Sequence, residues 1–75
     1  MTELIQGFGI AVRHVRETHG WSQESLAERA DLNRSYLGEV ERGRVIPSLA
    51  TAQKLALALE IPLSQLLAHC EQRAA

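Results

Sequence analysis

The chain has little cysteine, proline or aromatic residue and almost no net charge: one Cys, two Pro, three aromatic side chains and a formal balance of −1. A lone Cys70 excludes an intrachain disulfide framework and a cysteine-built zinc site. It is expected to be a packing or surface residue in a reducing interior. No apolar run approaches the roughly 18–20 residues that a membrane-spanning helix needs, so no membrane partner is expected. The opening MTELIQGFGI carries an acid and no basic n-region, which argues against a signal peptide and for a cytoplasmic location. His14, His19 and His69 stand at no ligand spacing, so no metal is expected and the three are read as exposed helix histidines. No nucleophile–base arrangement or glycine-rich phosphate loop can be assembled, so neither an enzyme nor a cofactor is expected. No ligand domain is evident that would take a small-molecule effector. Residues 1–44 hold six cations (Arg13, Arg16, Arg29, Arg34, Arg42, Arg44) against seven acids (Glu3, Glu17, Glu24, Glu28, Asp31, Glu39, Glu41). The domain is therefore not strongly basic, and any nucleic-acid role must rest on where the charges sit and not on how many there are.

Helical periodicity is abundant instead. The 75 residues, 45% hydrophobic and 23% charged, fit one small globular domain whose core is marginal enough that self-association would help it. Ile5, Phe8, Val12 and Val15 recur at spacings of three and four, so residues 3–19 read as a first helix, weakened at its start by Gly7 and Gly9 and stopped by Gly20. Ser22 caps a two-turn second helix, with Glu24 in its first turn and Trp21 and Leu26 at hydrophobic-staple positions. After a short turn Asn33 caps a third helix, with Leu32 and Leu37 repeating the staple, and Arg42-Gly43 closes it. Two short capped helices around such a turn describe a helix-turn-helix over about 22–42. Pro47 forces a loop. Ser48 then caps a fourth helix with the apolar stripe Leu49, Ala52, Leu55, Ala56 and Leu59. Pro62 interrupts, a fifth helix runs over about 63–70, and the tail EQRAA is expected to be loose.

The third helix has an unusual outer face. Leu37 and Val40 fall on one side, while Arg34, Ser35, Gly38 and Glu39 point elsewhere with no long aliphatic stem among them. Arg16 stands before Gly20, and the run from Ser22 to Leu67 adds S-Q-E-S, N-R-S-Y, E-R-G, Pro-Ser before helix four, and I-P-L-S-Q-L-L. In order and spacing it resembles the Xre/Cro family of helix-turn-helix DNA-binding domains, which includes lambda-type repressors and restriction–modification controller proteins. The resemblance covers about residues 8–68. It departs at Pro62, where the family often has a polar N-cap, and at Gly38, where it often has a larger polar residue.

That resemblance implies an all-α, five-helix, lambda-repressor-like domain that binds double-stranded DNA as a homodimer and regulates transcription from a palindromic operator. It places Arg34, Ser35, Gly38 and Glu39 against bases. Arg34 can donate twice to guanine; Glu39 can accept from cytosine or hold Arg34; Gly38 lets the backbone come close. Ser22, Gln23, Asn33, Tyr36, Arg42, Arg44 and Ser48 are the phosphate candidates, with Tyr36 equally suited to packing on the neighbouring helix. Arg16 and Glu41 match a structural ion pair of the family. Ile61, Leu63 and Leu67, within a dimerisation region of about 57–70, are expected at the interface between copies because they offer more aliphatic surface than a small core requires. The rival readings are an antitoxin-like module whose partner is a toxin protein, and an adaptor that keeps the fold without binding DNA.

Overall fold

A computed structural model describes residues 2–74, with side-chain environments for residues 3–71. Five helices follow one another: α1 (Thr2–Thr18), α2 (Gln23–Arg29), α3 (Arg34–Glu41), α4 (Leu49–Ala58) and α5 (Leu63–Ala74). No strand occurs among the described residues, nor any helix long and apolar enough to cross a membrane.

The punctuation is local chemistry. Ser22 Oγ accepts from the Ser25 amide at 3.1 Å, Asn33 Oδ1 from Ser35 at 2.8 Å, and Ser48 Oγ from Thr51 at 3.0 Å, each satisfying a donor that a helix start leaves unpaired. Four helices end the same way. A left-handed residue (Gly20 φ 75, Asp31 φ 56, Gly43 φ 72, Glu60 φ 64) turns the chain, and the next amide returns to the helix. Those bonds run from Trp21 to Arg16, Leu32 to Ala27, Arg44 to Glu39 and Ile61 to Ala56, at 2.8–3.2 Å. Two of the four positions lack glycine and carry the steric cost of a β-carbon there.

The core is aliphatic. Val12, Leu26, Leu37, Leu55, Leu59 and Leu66 are wholly buried, one or more from every helix. α1 is the central post, packed along α5 and against α3. Gly9 makes the second contact possible. A β-carbon on it would stand 2.6 Å from the Glu41 carbonyl oxygen and closer still to that of Val40. Gly9 therefore does more than weaken a helix start: it lets two backbones touch. Its place in the inward row Ile5, Gly9, Val12, Arg16 was the available sign.

Three expectations are corrected. α5 does not stop near Cys70 but continues to Ala74, because Glu71, Gln72, Arg73 and Ala74 are good helix formers with no glycine or proline among them. Ala75 lies outside the described residues. Leu49 leaves the apolar stripe and is 73% exposed. It is the first residue of α4, and helical side chains lean toward the N-terminus, so it overhangs the packed surface. His69 is half-buried rather than exposed, and so is His19. The His19 Nε2–H donates to the Leu59 carbonyl at 2.8 Å, and its ring stacks on Trp21 with centroids 4.2 Å apart. The Arg29 guanidinium lies 4.0 Å from the centre of the Trp21 ring. Trp21 is thus half-buried in a polar stack, although it still packs against the core. Cys70 is buried, and its thiol donates to the Leu4 carbonyl at 3.0 Å, tying α5 to α1.

Candidate nucleic-acid interface

α3 is held from its inner side. Leu37 and Val40 enter the core, and Glu41 follows them as a buried acid. Its carboxylate takes a forked grip from Arg16, Nε to Oε2 at 2.8 Å and Nη2 to Oε1 at 3.0 Å. Gln23 Nε2 adds a third bond, to Oε1 at 2.9 Å, and Arg16 Nη1 reaches on to the Trp21 carbonyl at 2.7 Å. One network thus locks α1, the start of α2 and the end of α3. The hydrogen bonds from Arg16 to Glu41 raise the arginine's pKa above its ordinary range, against the opposing pull of burial.

The outer side is different. Arg34 and Ser35 are exposed at the first turn of α3, directly after its cap. Glu39 does not reach back to Arg34. Its partner is Arg42, with Nη2 3.4 Å from Glu39 Oε2, because a residue three positions on is a helical neighbour, whereas Arg34, five positions back, lies on a different side. Gly38 is also not open toward the surface as expected. It is buried beneath the Arg42 guanidinium, whose Nη2 lies 3.2 Å from where a β-carbon would be.

The remaining sequence-derived positions sort clearly. Ser22, Asn33 and Ser48 are exposed caps, so each hydroxyl or carbonyl is engaged by a backbone amide; Asn33 keeps its amide donors free for another partner. Gln23 commits one amide hydrogen to Glu41 and retains the other. Tyr36 is half-buried and packs against the core. Arg44 is exposed on the loop after α3. Ile61, Leu63 and Leu67 are half-buried and lean on the core, whereas Leu57, inside the same 57–70 region, is 67% exposed. The structure brings Arg16, Gln23 and Glu41 into one cluster and Gly38, Glu39 and Arg42 into another. Both pairings were hidden from the sequence in part: Gln23 with Glu41 is a tertiary contact, while Gly38 to Arg42 is a four-residue helical step that could have been read.

Two short helices joined by residues 30–33, the second mounted rigidly with a polar outer face, define a helix-turn-helix module. A family model described as helix-turn-helix matches residues 12–66. The control protein C.BamHI of Bacillus amyloliquefaciens is 38% identical over 72 residues, covering 88% of this chain and 89% of that protein. The solved restriction-modification controller protein C.AhdI from Aeromonas hydrophila has a TM-score of 0.81 at 44% identity, over 88% of this chain and 98% of that one. The HTH-type transcriptional regulator SutR of Escherichia coli is 33% identical over 85% of this chain, which spans 36% of SutR's length. The chain belongs to the helix-turn-helix family of DNA-binding transcription regulators, in its Xre/Cro branch.

Proposed function

We propose that this chain reads a palindromic operator in duplex DNA as a homodimer and so regulates transcription in the cytoplasm, without enzymatic activity and without a small-molecule effector. The observation that carries the reading is the outer face of α3: Arg34 and Ser35 stand free beyond the Asn33 cap, while the inner face is fixed by Leu37, Val40 and the Arg16–Glu41 pair. A helix held this way can enter a major groove about 12 Å wide and present its outer side chains to the base edges. Arg34 supplies two donors for guanine O6 and N7, and Ser35 a hydroxyl for a neighbouring base. The retained amide hydrogen of Gln23, the amide of Asn33, the backbone donors behind Ser22 and Ser48, and Arg44 serve the phosphates, with Tyr36 able to add its hydroxyl from a packed ring.

Pairing of two copies follows from reach. One short helix reads only a few base pairs, and two of them about one helical turn apart, roughly 34–36 Å, read enough to specify a site. The face that serves is the 57–70 region, which holds exposed Leu57 and half-buried Ile61, Leu63 and Leu67. Leu57→Glu is the clean test, since that side chain is not needed by the core.

Selection of bound duplexes from a random pool tests the function directly. A recovered palindrome, with a negative log–log salt slope on unrelated DNA, is the expected result. Arg34→Ala should then cost about 1–3 kcal/mol of discrimination at one base pair of each half-site with helicity unchanged. Leu57→Glu should sediment as a monomer and bind more weakly. Absence of any DNA binding by the wild type would refute the proposal in favour of an adaptor, and tight binding to one half-site by a monomer would refute the dimer.

A further inference from the structure

The middle of α3 holds an assembly that helix propensity does not explain. Gly38 sits inside an eight-residue helix, where glycine is the least favourable residue after proline. The space its missing side chain leaves is filled by Arg42, with Nη2 and Nη1 at 3.2 Å and 3.3 Å from the β-carbon position. Arg42 is the C-cap, but its φ −84 and ψ −2 keep it in helical register, so its side chain runs back along the row to Gly38. Glu39 flanks the guanidinium at 3.4 Å. Its Oε2 is shut off from solvent and receives no well-formed hydrogen bond, so the contact is a charge pair awaiting better geometry.

Direction matters here. At about 100° per residue, Leu37, Val40 and Glu41 define the inner side of α3, and Ser35, Glu39 and Arg42 fall opposite. Arg42 therefore belongs to the outer face, at its C-terminal end, with Ser35 and Glu39 closer to the face's midline. A phosphate contact asks for reach and charge; a base contact asks for a guanidinium held in one plane. An unpaired carboxylate on that face would also repel the DNA backbone, and the pairing removes this objection to Glu39.

We infer that Arg42 is a base-reading residue, seated on Gly38 and steered by Glu39, and that it presents its free N–H groups to a guanine in the major groove. Glu39 is then a positioning residue, not a reader of cytosine. The 3.4 Å contact with Glu39 is a charge pair and not a well-formed hydrogen bond, so the guanidinium donors stay available for guanine N7 and O6. This assignment replaces the phosphate role that the position of Arg42 after the helix suggested, and it rests on the DNA-reading function proposed above.

The test uses the whole chain and a duplex selected by the wild type, together with every single-base-pair variant of that duplex. Affinities are compared for wild type, Arg34→Ala, Arg42→Ala, Arg42→Lys and Glu39→Gln, each checked for helicity. Arg42→Ala should relax the preference at one G·C pair by roughly 5–150-fold, the range a bidentate contact supports, and leave the other positions selective. Arg42→Lys should not restore it, because an ammonium lacks the planar fork. Glu39→Gln should partly relax the same base pair and no other. A uniform loss across all duplexes in Arg42→Ala, with the salt slope shallower by about one, would assign Arg42 to a phosphate and overturn the inference. So would a Glu39→Gln effect at a different base pair. If Arg34→Ala relaxes a position while Arg42→Ala relaxes none, only this inference falls; if the wild type selects no duplex, the functional proposal falls and takes it along.

Discussion

Removing Glu41 should come close to unfolding the domain. The carboxylate is 2% exposed and the Arg16 side chain 10%, so neither charge can retreat to water when its partner goes. In Glu41→Ala the guanidinium loses bonds of 2.8 Å and 3.0 Å and keeps only the Trp21 carbonyl, while Gln23 loses its acceptor. Stranding one member of a buried pair costs about 3–5 kcal/mol. At about 0.05–0.15 kcal/mol per residue, a chain of this length has a total stability of roughly 4–11 kcal/mol, so the loss is a large part of the whole. Arg16→Ala leaves the mirror problem, a buried carboxylate held by Gln23 alone. The double variant Arg16→Met/Glu41→Leu removes both charges and fills the space with apolar atoms, so it should cost far less than the two single losses together. Urea melts followed by far-ultraviolet circular dichroism measure all four proteins. With a urea dependence of about 1–3 kcal/mol per molar, a loss of about 3 kcal/mol moves the midpoint by about 1–3 M. Two results would refute the reasoning: single losses below about 1 kcal/mol, or a double variant whose loss equals the sum to within about 0.5 kcal/mol.

Other substitutions follow from the same geometry. Gly9→Ala places a methyl group against the Val40 and Glu41 carbonyls and should destabilise by about 1–3 kcal/mol despite alanine's better helix propensity, measured by the same melts; an unchanged or raised stability would mean that α1 and α3 are not in backbone contact. Glu60→Gly relieves a left-handed residue that closes α4 and should stabilise by about 0.5–1 kcal/mol, or a rise of about 2–8 °C in Tm. Burial, with Glu71 second, pushes the Cys70 thiol above its ordinary range. A raised folded value means that its contribution is complete below the unfolded thiol pKa of about 8.5 and is lost as pH rises through the folded one. Stability of the wild type should therefore fall more steeply above about pH 8.5 than that of Cys70→Ala, and parallel pH profiles would show that the thiol is not buried in solution.

Much of the fold and part of the site were legible in the residues alone. Ser22, Asn33 and Ser48 announce helix starts because capping is a bond between a side chain and an amide two or three residues on, and Gly20 and Gly43 announce helix ends for the same local reason. The inward placement of Leu37 and Val40 and the exposure of Arg34 and Ser35 follow from helical periodicity. What tertiary structure alone decided involves residues far apart in the chain. Periodicity puts Gly9 in an inward row, but it does not say that a backbone lies against it and not a side chain, and nothing near His19 points to the carbonyl of Leu59 forty residues on. The Glu39–Arg42 pair, by contrast, was local: Arg42 stands three residues on, within helical reach, whereas Arg34 stands five residues back on a different side of the helix. Periodicity assigns a residue to a face, but which groups meet there depends on how the helices pack, and that is set by the shapes of all their side chains together.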